Sequence, residues 1–105
     1  MDLLDAGPIT GGNYDVILDS DVRGLFIHEA FGHLSEADNL IGNETLAKIM
    51  ILGSEFAMEK FNVIDDPTKT GHPGSYVYDH EGTKAKPMYL IENGKLSGRL
   101  YSLQY

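Results

Sequence analysis

The chain has 105 residues, 42% of them hydrophobic, no cysteine, and sixteen acids against eight bases for a net charge of −8. That length holds one domain with a modest core, and the missing cysteines rule out a disulfide framework or a cysteine metal knuckle within it. The acidic balance, with Lys and Arg scattered, argues against direct nucleic-acid binding, and no apolar run approaches a membrane span.

Met1 leads straight into "DLLDAGPITGGNYDVILD" without the pattern of a signal peptide. At the other end "GRLYSLQY" stops inside what reads as a strand, so the sequence is expected to be a segment of a longer protein. Residues 5–13, rich in Gly and Pro, predict a loop. "YDVILD" (14–19) has the β-branched and aromatic content of a short strand. Asp19 or Ser20 then caps a helix over about 20–34. Its apolar members Val22, Leu25, Phe26, Ile27, Ala30, Phe31 and Leu34 lie almost all round the axis, which predicts a helix covered on most sides.

"EADNLIGN" reads as a polar connection. A second helix is expected from Glu44, capped by Asn43, through to the break at Gly53. "FNVIDD" (61–66) predicts a strand running into the turn "DDPT". Further on, "SYVYD" (75–79), "KPMYLIE" (86–92) and "KLSGRLYS" (95–102) predict an antiparallel meander, with Asn93-Gly94 as the hairpin turn. The elements add up to an α+β fold in a single domain over 1–105: one buried motif helix plus a second helix packed on an antiparallel sheet with a C-terminal β-meander.

The chemistry concentrates in "FIHEAFGHLSEAD" (26–38). His28 and His33 offer nitrogen donors and Glu29 a carboxylate, the set used by hydrolytic zinc sites. The spacing is a difficulty. Residues five apart on a regular α-helix point roughly 140° away from each other, whereas residues four apart share a face. A single wide turn, with five-residue hydrogen bonding, brings them back together, and such turns occur at functional sites. Gly32 is expected to supply the flexibility for it. The prediction is therefore a wide turn within Glu29–His33. His28 and His33 would hold Zn²⁺ with room for a third ligand, and Glu29 would take a proton from water and pass it to the leaving amine.

The plainer reading makes the histidines hydrogen-bonded core residues, with Glu29 paired to Arg23 or a lysine. Burying two imidazoles and a carboxylate together is costly unless they are paired or coordinated. Glu36 and Asp38 are the nearby candidates for a third ligand, although Glu36 could equally bond the backbone or support a ligand from behind. His72 and His80 fall in loops, Asp65, Asp66 and Asp79 read as turn formers, and Arg99 reads as a surface residue.

"HEAFGH" followed by "SEAD" resembles the signature of the TldD/PmbA family: His-Glu, three residues, His. "VIDDPTKTGHPGSYVYDHEGT" and "LIENGKLSGRL" are similar to the same family in the same order, so the resemblance runs from about Tyr14 to Tyr105. It implies a cytoplasmic zinc metallopeptidase that acts on small or unfolded peptides and in peptide maturation. Under it His28 and His33 match the zinc ligands and Glu29 the catalytic base. It also implies a partner, either a homologous PmbA/TldE-type subunit or a second copy. The family's older label, modulator of DNA gyrase, finds no support in so acidic a chain. Its third zinc ligand is a cysteine, so that ligand is expected outside this chain, and the segment alone is expected to be catalytically poor. The edge strands could add a peptide substrate as an extra strand. The competing reading is a non-catalytic peptide-binding or assembly module that keeps the motif helix for packing.

Overall fold

A computed structural model of the chain describes residues 3–104. Two short helices, α1 (Ser20–Ile27) and α2 (Glu44–Ile49), accompany a sheet of three antiparallel strands, β1 (Val63–Asp65), β2 (Met88–Glu92) and β3 (Lys95–Leu96), in the order β1-β2-β3. The α+β expectation holds.

Local chemistry starts and stops these elements. The Asp19 carboxylate accepts the Val22 N–H at 2.9 Å and caps α1, and Asn43 Oδ1 accepts the Leu46 N–H at 3.0 Å and caps α2. Each bond satisfies one of the orphan donors of a helix start. Helix α2 ends at Ile49 rather than at Gly53, because Met50 leaves the helical region (φ −88°, ψ 49°) to bury its side chain completely.

Helix α1 continues without interruption into a wide turn, His28–Gly32, in which the His33 N–H donates to the His28 carbonyl five residues back. A single 3₁₀ turn, His33–Ser35, and a second, Ala37–Leu40, follow. Within the wide turn Phe31 is buried and sets its ring edge-on to Phe56, centroids 5.7 Å apart. Ser35 is fully buried and donates from Oγ to the Phe31 carbonyl at 3.0 Å. These two residues anchor the motif segment to the core.

The core is small: Phe31, Met50, Val63, Leu90, Ile91 and Leu96, with Ile27, Leu40, Phe56, Phe61 and Leu100 packed around it. Full burial of each such side chain contributes roughly 1.5–3 kcal/mol. Leu90 and Ile91 are adjacent in β2 yet both buried, which strict alternation forbids. A bulge resolves it: Val63 faces Ile91 while Ile64 faces Tyr89, so one extra β2 residue turns inward. The Cα radius of gyration is 16.9 Å, against about 13 Å for a compact domain of this length.

Several expectations are corrected. The motif helix is not buried: no residue of α1 is enclosed, and Val22, Leu25 and Phe26 are 49%, 62% and 57% exposed. An all-round apolar pattern calls for cover on every side, and only the flank with Ile27 and Phe31 meets the core. Residues 14–19 form no strand, since no other strand among the described residues lies beside them; Val16 and Ile17 are exposed. The strand beside β2 is β1, not "SYVYD". Residues 75–79 instead fold back on Thr83–Ala85 through a bridge between Tyr78 and Lys84, and β3 proper is only two residues long. The Asp79 carboxylate holds that loop by accepting the Thr83 and Glu81 amides at 2.8 and 2.9 Å, and the Thr83 bond foremost keeps its carboxyl below the ordinary 3.8. Asp66 is lowered likewise, first by the Thr68 hydroxyl and then by its amide. Asp65 is the last residue of β1 rather than a turn former. Arg99 is half-buried and donates from Nη2 to the Met50 carbonyl, so it joins the sheet to the end of α2.

Gly32 also departs from expectation. It sits at φ −54°, ψ −52°, ordinary right-handed helix, and an added Cβ would meet only the Ile27 carbonyl at 3.7 Å. The wide turn therefore does not need glycine there. Gly32→Ala is expected to leave stability unchanged or raise it by up to about 1 kcal/mol, with the His33 amide still protected in hydrogen exchange; a destabilised variant with a freely exchanging His33 amide would contradict this.

At the hairpin the opposite holds. Asn93 and Gly94 both have positive φ (50° and 78°), the pairing a two-residue turn of this hand requires. A Cβ on Gly94 would also collide with the Ala57 and Met58 carbonyls. Gly94→Ala is expected to cost roughly 2–4 kcal/mol. Gly42→Ala, also at positive φ but with nothing within 4 Å, should cost only the backbone strain of about 1–2 kcal/mol. Chemical denaturation of the two variants measures the difference that the close approach at Gly94 makes.

Candidate functional site

The wide turn sets the geometry of the site. With five residues rather than four closing the hydrogen bond, His28 and His33 fall on one side, their ring centroids 4.7 Å apart with the planes at 73°. The expectation of a widened turn is met, and the ring divergence of a regular helix does not occur.

Glu29 completes the group. One ligand atom from each of His28, Glu29 and His33 lies within 4.8 Å of the other two, and all three residues are exposed. Glu29 Oε2 is 3.9 Å from His33 Nε2. Donor atoms bound tetrahedrally to zinc stand roughly 3.3 Å apart. Two imidazoles and a carboxylate on solvent-facing side chains can close that difference by small rotations. The donor set fits a divalent cation of the zinc type by its chemistry.

Glu29 is not paired with Arg23 or a lysine among the described residues; its carboxylate faces His33 instead. Glu36 lies behind His33 instead of joining the group. His33 Nδ1 is hydrogen-bonded to Glu36 Oε1 at 2.9 Å, on the ring nitrogen opposite the one that faces Glu29. Asp38, His72 and His80 do not join the cluster. Asn39, which carries no motif signal of its own, also belongs with His33 and Glu36. Its Nδ2 donates to the His33 carbonyl at 2.7 Å and approaches Glu36 Oε2 at 3.4 Å. Its one trace in the sequence is spacing, since a histidine, a glutamate three places on and an asparagine three further recur at helical spacing.

A hollow of about 300 Å³ opens between the wide turn and the sheet, with His28, Gly32, His33 and Glu36 on one side and Val63, Ile64 and Asp65 of β1 on the other. A larger hollow, about 640 Å³ beside the Asn93–Gly94 turn, is lined by no histidine. The second edge of β1 makes no backbone hydrogen bond to another described strand, whereas β3 is bordered by Gly53–Glu55. No helix among the described residues is long and apolar enough to cross a membrane.

The chain's relatives include proteins named as metalloproteases. A metalloprotease of Synechocystis is 45% identical over 90% of this chain, and one of Methanocaldococcus jannaschii is 47% identical over 95% of it. A protein of Saccharolobus solfataricus named zinc metalloprotease TldD homolog is 44% identical over 81%. The chain spans about one fifth of the length of these relatives, 20%, 22% and 19% respectively. No solved structure gives a significant match. The pattern of the PmbA/TldA metallopeptidase C-terminal domain matches residues 11–105, so the chain belongs to the PmbA/TldD metallopeptidase family.

Proposed function

We propose that this chain carries the zinc-binding and proton-transfer residues of a peptidase that hydrolyses small or unfolded peptides in the cytoplasm. The observation that supports it is the wide turn, which gathers two imidazoles and a carboxylate at solvent. His28 and His33 are the metal ligands and Glu29 the general base. A bound zinc ion supplies Lewis acidity toward a peptide carbonyl and toward water.

Glu29 does the work that belongs to this chain. Its carboxylate lies beside the ligand pair, takes a proton from the attacking water and passes it to the departing amine. The third protein ligand of a catalytic zinc site comes from outside the chain on this reading, as the resemblance to a family with a cysteine ligand implies for a chain without cysteine. A homologous PmbA/TldE-type subunit or a second copy is the proposed partner.

The open edge of β1 gives the substrate a place. All three β1 residues line the same hollow as the histidine pair, so a peptide added antiparallel or parallel to β1 would run past His28 and His33. Main-chain bonds of that kind accept many side chains, which suits a substrate class defined by being extended rather than by sequence. The competing reading, an interaction module that keeps the motif for packing, sits less well with a helix whose chemistry faces solvent.

Two measurements test this. In full-length protein purified without chelator, Glu29→Gln is expected to retain zinc while peptide turnover falls at least about a hundredfold, and His28→Ala and His33→Ala are expected to lose the metal by elemental analysis. Protein free of zinc, with Glu29→Gln cleaving or binding peptides like its parent, would hand the case to the interaction reading. For the strand, backbone N-methylation scanned along a model peptide is expected to raise KM about tenfold at alternate positions, one hydrogen bond's worth each. Equal tolerance at every position would rule out pairing with β1.

A further inference from the structure

We infer that Glu36 is a positioning residue for His33, fixing which ring nitrogen faces the cluster, and that Asn39 holds Glu36 in place. The inference rests on the zinc reading above for its functional meaning, but its geometric core concerns only this chain. A carboxylate can only accept hydrogen bonds, so the 2.9 Å contact with Glu36 Oε1 places the proton of a neutral His33 on Nδ1. The lone pair is then on Nε2, the nitrogen 3.9 Å from Glu29 Oε2. Without a partner, neutral imidazole side chains favour the opposite tautomer, with the proton on Nε2. The carboxylate therefore reverses an intrinsic preference and presents the lone pair where a metal would be shared with His28.

Glu36 is itself fixed from two directions. Its backbone pairs with Leu100: the Ala37 N–H donates to the Leu100 carbonyl at 2.9 Å, and the Leu100 N–H donates to the Ser35 carbonyl at 2.8 Å. The Asn39 amide then spans Glu36 Oε2 and the His33 carbonyl. A ring, a carboxylate and an amide thus brace one another across a tight exit from the wide turn, tied to the chain that continues from β3.

The test uses full-length protein with ¹⁵N-labelled histidine, stripped of metal, and reads the His33 ring nitrogens by long-range proton–nitrogen correlation at a pH where the ring is neutral. The parent is expected to show protonated Nδ1 and bare Nε2. Glu36→Ala is expected to shift His33 to the Nε2-protonated form and to weaken zinc about 10–100-fold in competition with a chromophoric chelator. Asn39→Ala should give a smaller change in the same direction, and Glu36→Gln, nearly the same shape, should keep the fold while weakening zinc. A parent His33 protonated on Nε2, or tautomer and zinc affinity both unmoved in Glu36→Ala, would overturn the proposal. If the parent binds no zinc at all, the peptidase reading fails, and the tautomer in the parent and in Glu36→Ala still decides the role of Glu36.

Discussion

One hydrogen bond, from the His33 amide to the His28 carbonyl, organises the half of this molecule that carries the histidine motif. Had the chain kept four-residue bonding through this turn, the two rings would have pointed roughly 140° apart and no cation could have met both. The extra residue rotates everything beyond it by about a quarter of a turn or more. What keeps the ladder wide is packing on the opposite flank. Phe31 reaches the core against Phe56 and Ser35 ties back to the Phe31 carbonyl, so the buried side of the segment fixes the phase of the exposed side. A polar site here is therefore held by an apolar anchor one turn away.

The sheet supplies the second constraint. The chain beyond β3 does not run free; Leu100 pairs with Glu36 and Arg99 reaches the Met50 carbonyl at the end of α2. The Asn93–Gly94 turn in turn presses against the 57–58 backbone, and the Asn62 side chain accepts the Asn93 amide at 2.9 Å. Motif, second helix and hairpin are thereby linked through backbone carbonyls rather than through a large core. Such links are directional, and they explain how six enclosed apolar side chains can still hold a site in place.

Much of this was legible in the sequence where a local rule governs. Asn43 as a cap, Asn93-Gly94 as a hairpin and the conflict between five-residue spacing and a common cation each follow from the residues themselves. The errors share a different cause. The all-round apolar face of α1 states a need for cover without naming what covers it, so a buried helix was expected where an exposed one stands. "VID" and "SYVYD" are both plausible neighbours for β2; Asp79 decides by capturing the Thr83 and Glu81 amides and closing residues 75–85 into their own loop. Arg99 looked like a surface charge because its acceptor lies 49 residues away in sequence. Gly32 suggests flexibility in the sequence, but the right-handed turn it occupies does not call for any.

Exposure bears directly on chemistry. The Glu29 and His33 side chains are 64% and 55% exposed, and water at that contact screens what the geometry arranges. On the peptidase reading, the positions of the imidazoles and the carboxylate are set by this chain, while their strength is set by whatever excludes water from the hollow beside β1. An extended peptide paired to β1 would itself begin that exclusion, because its backbone would occupy the hollow that the histidines line. On that reading substrate binding and the drying of the histidine pair would be one event, a consequence of placing an exposed motif turn across a hollow from a strand edge that pairs with no other described strand.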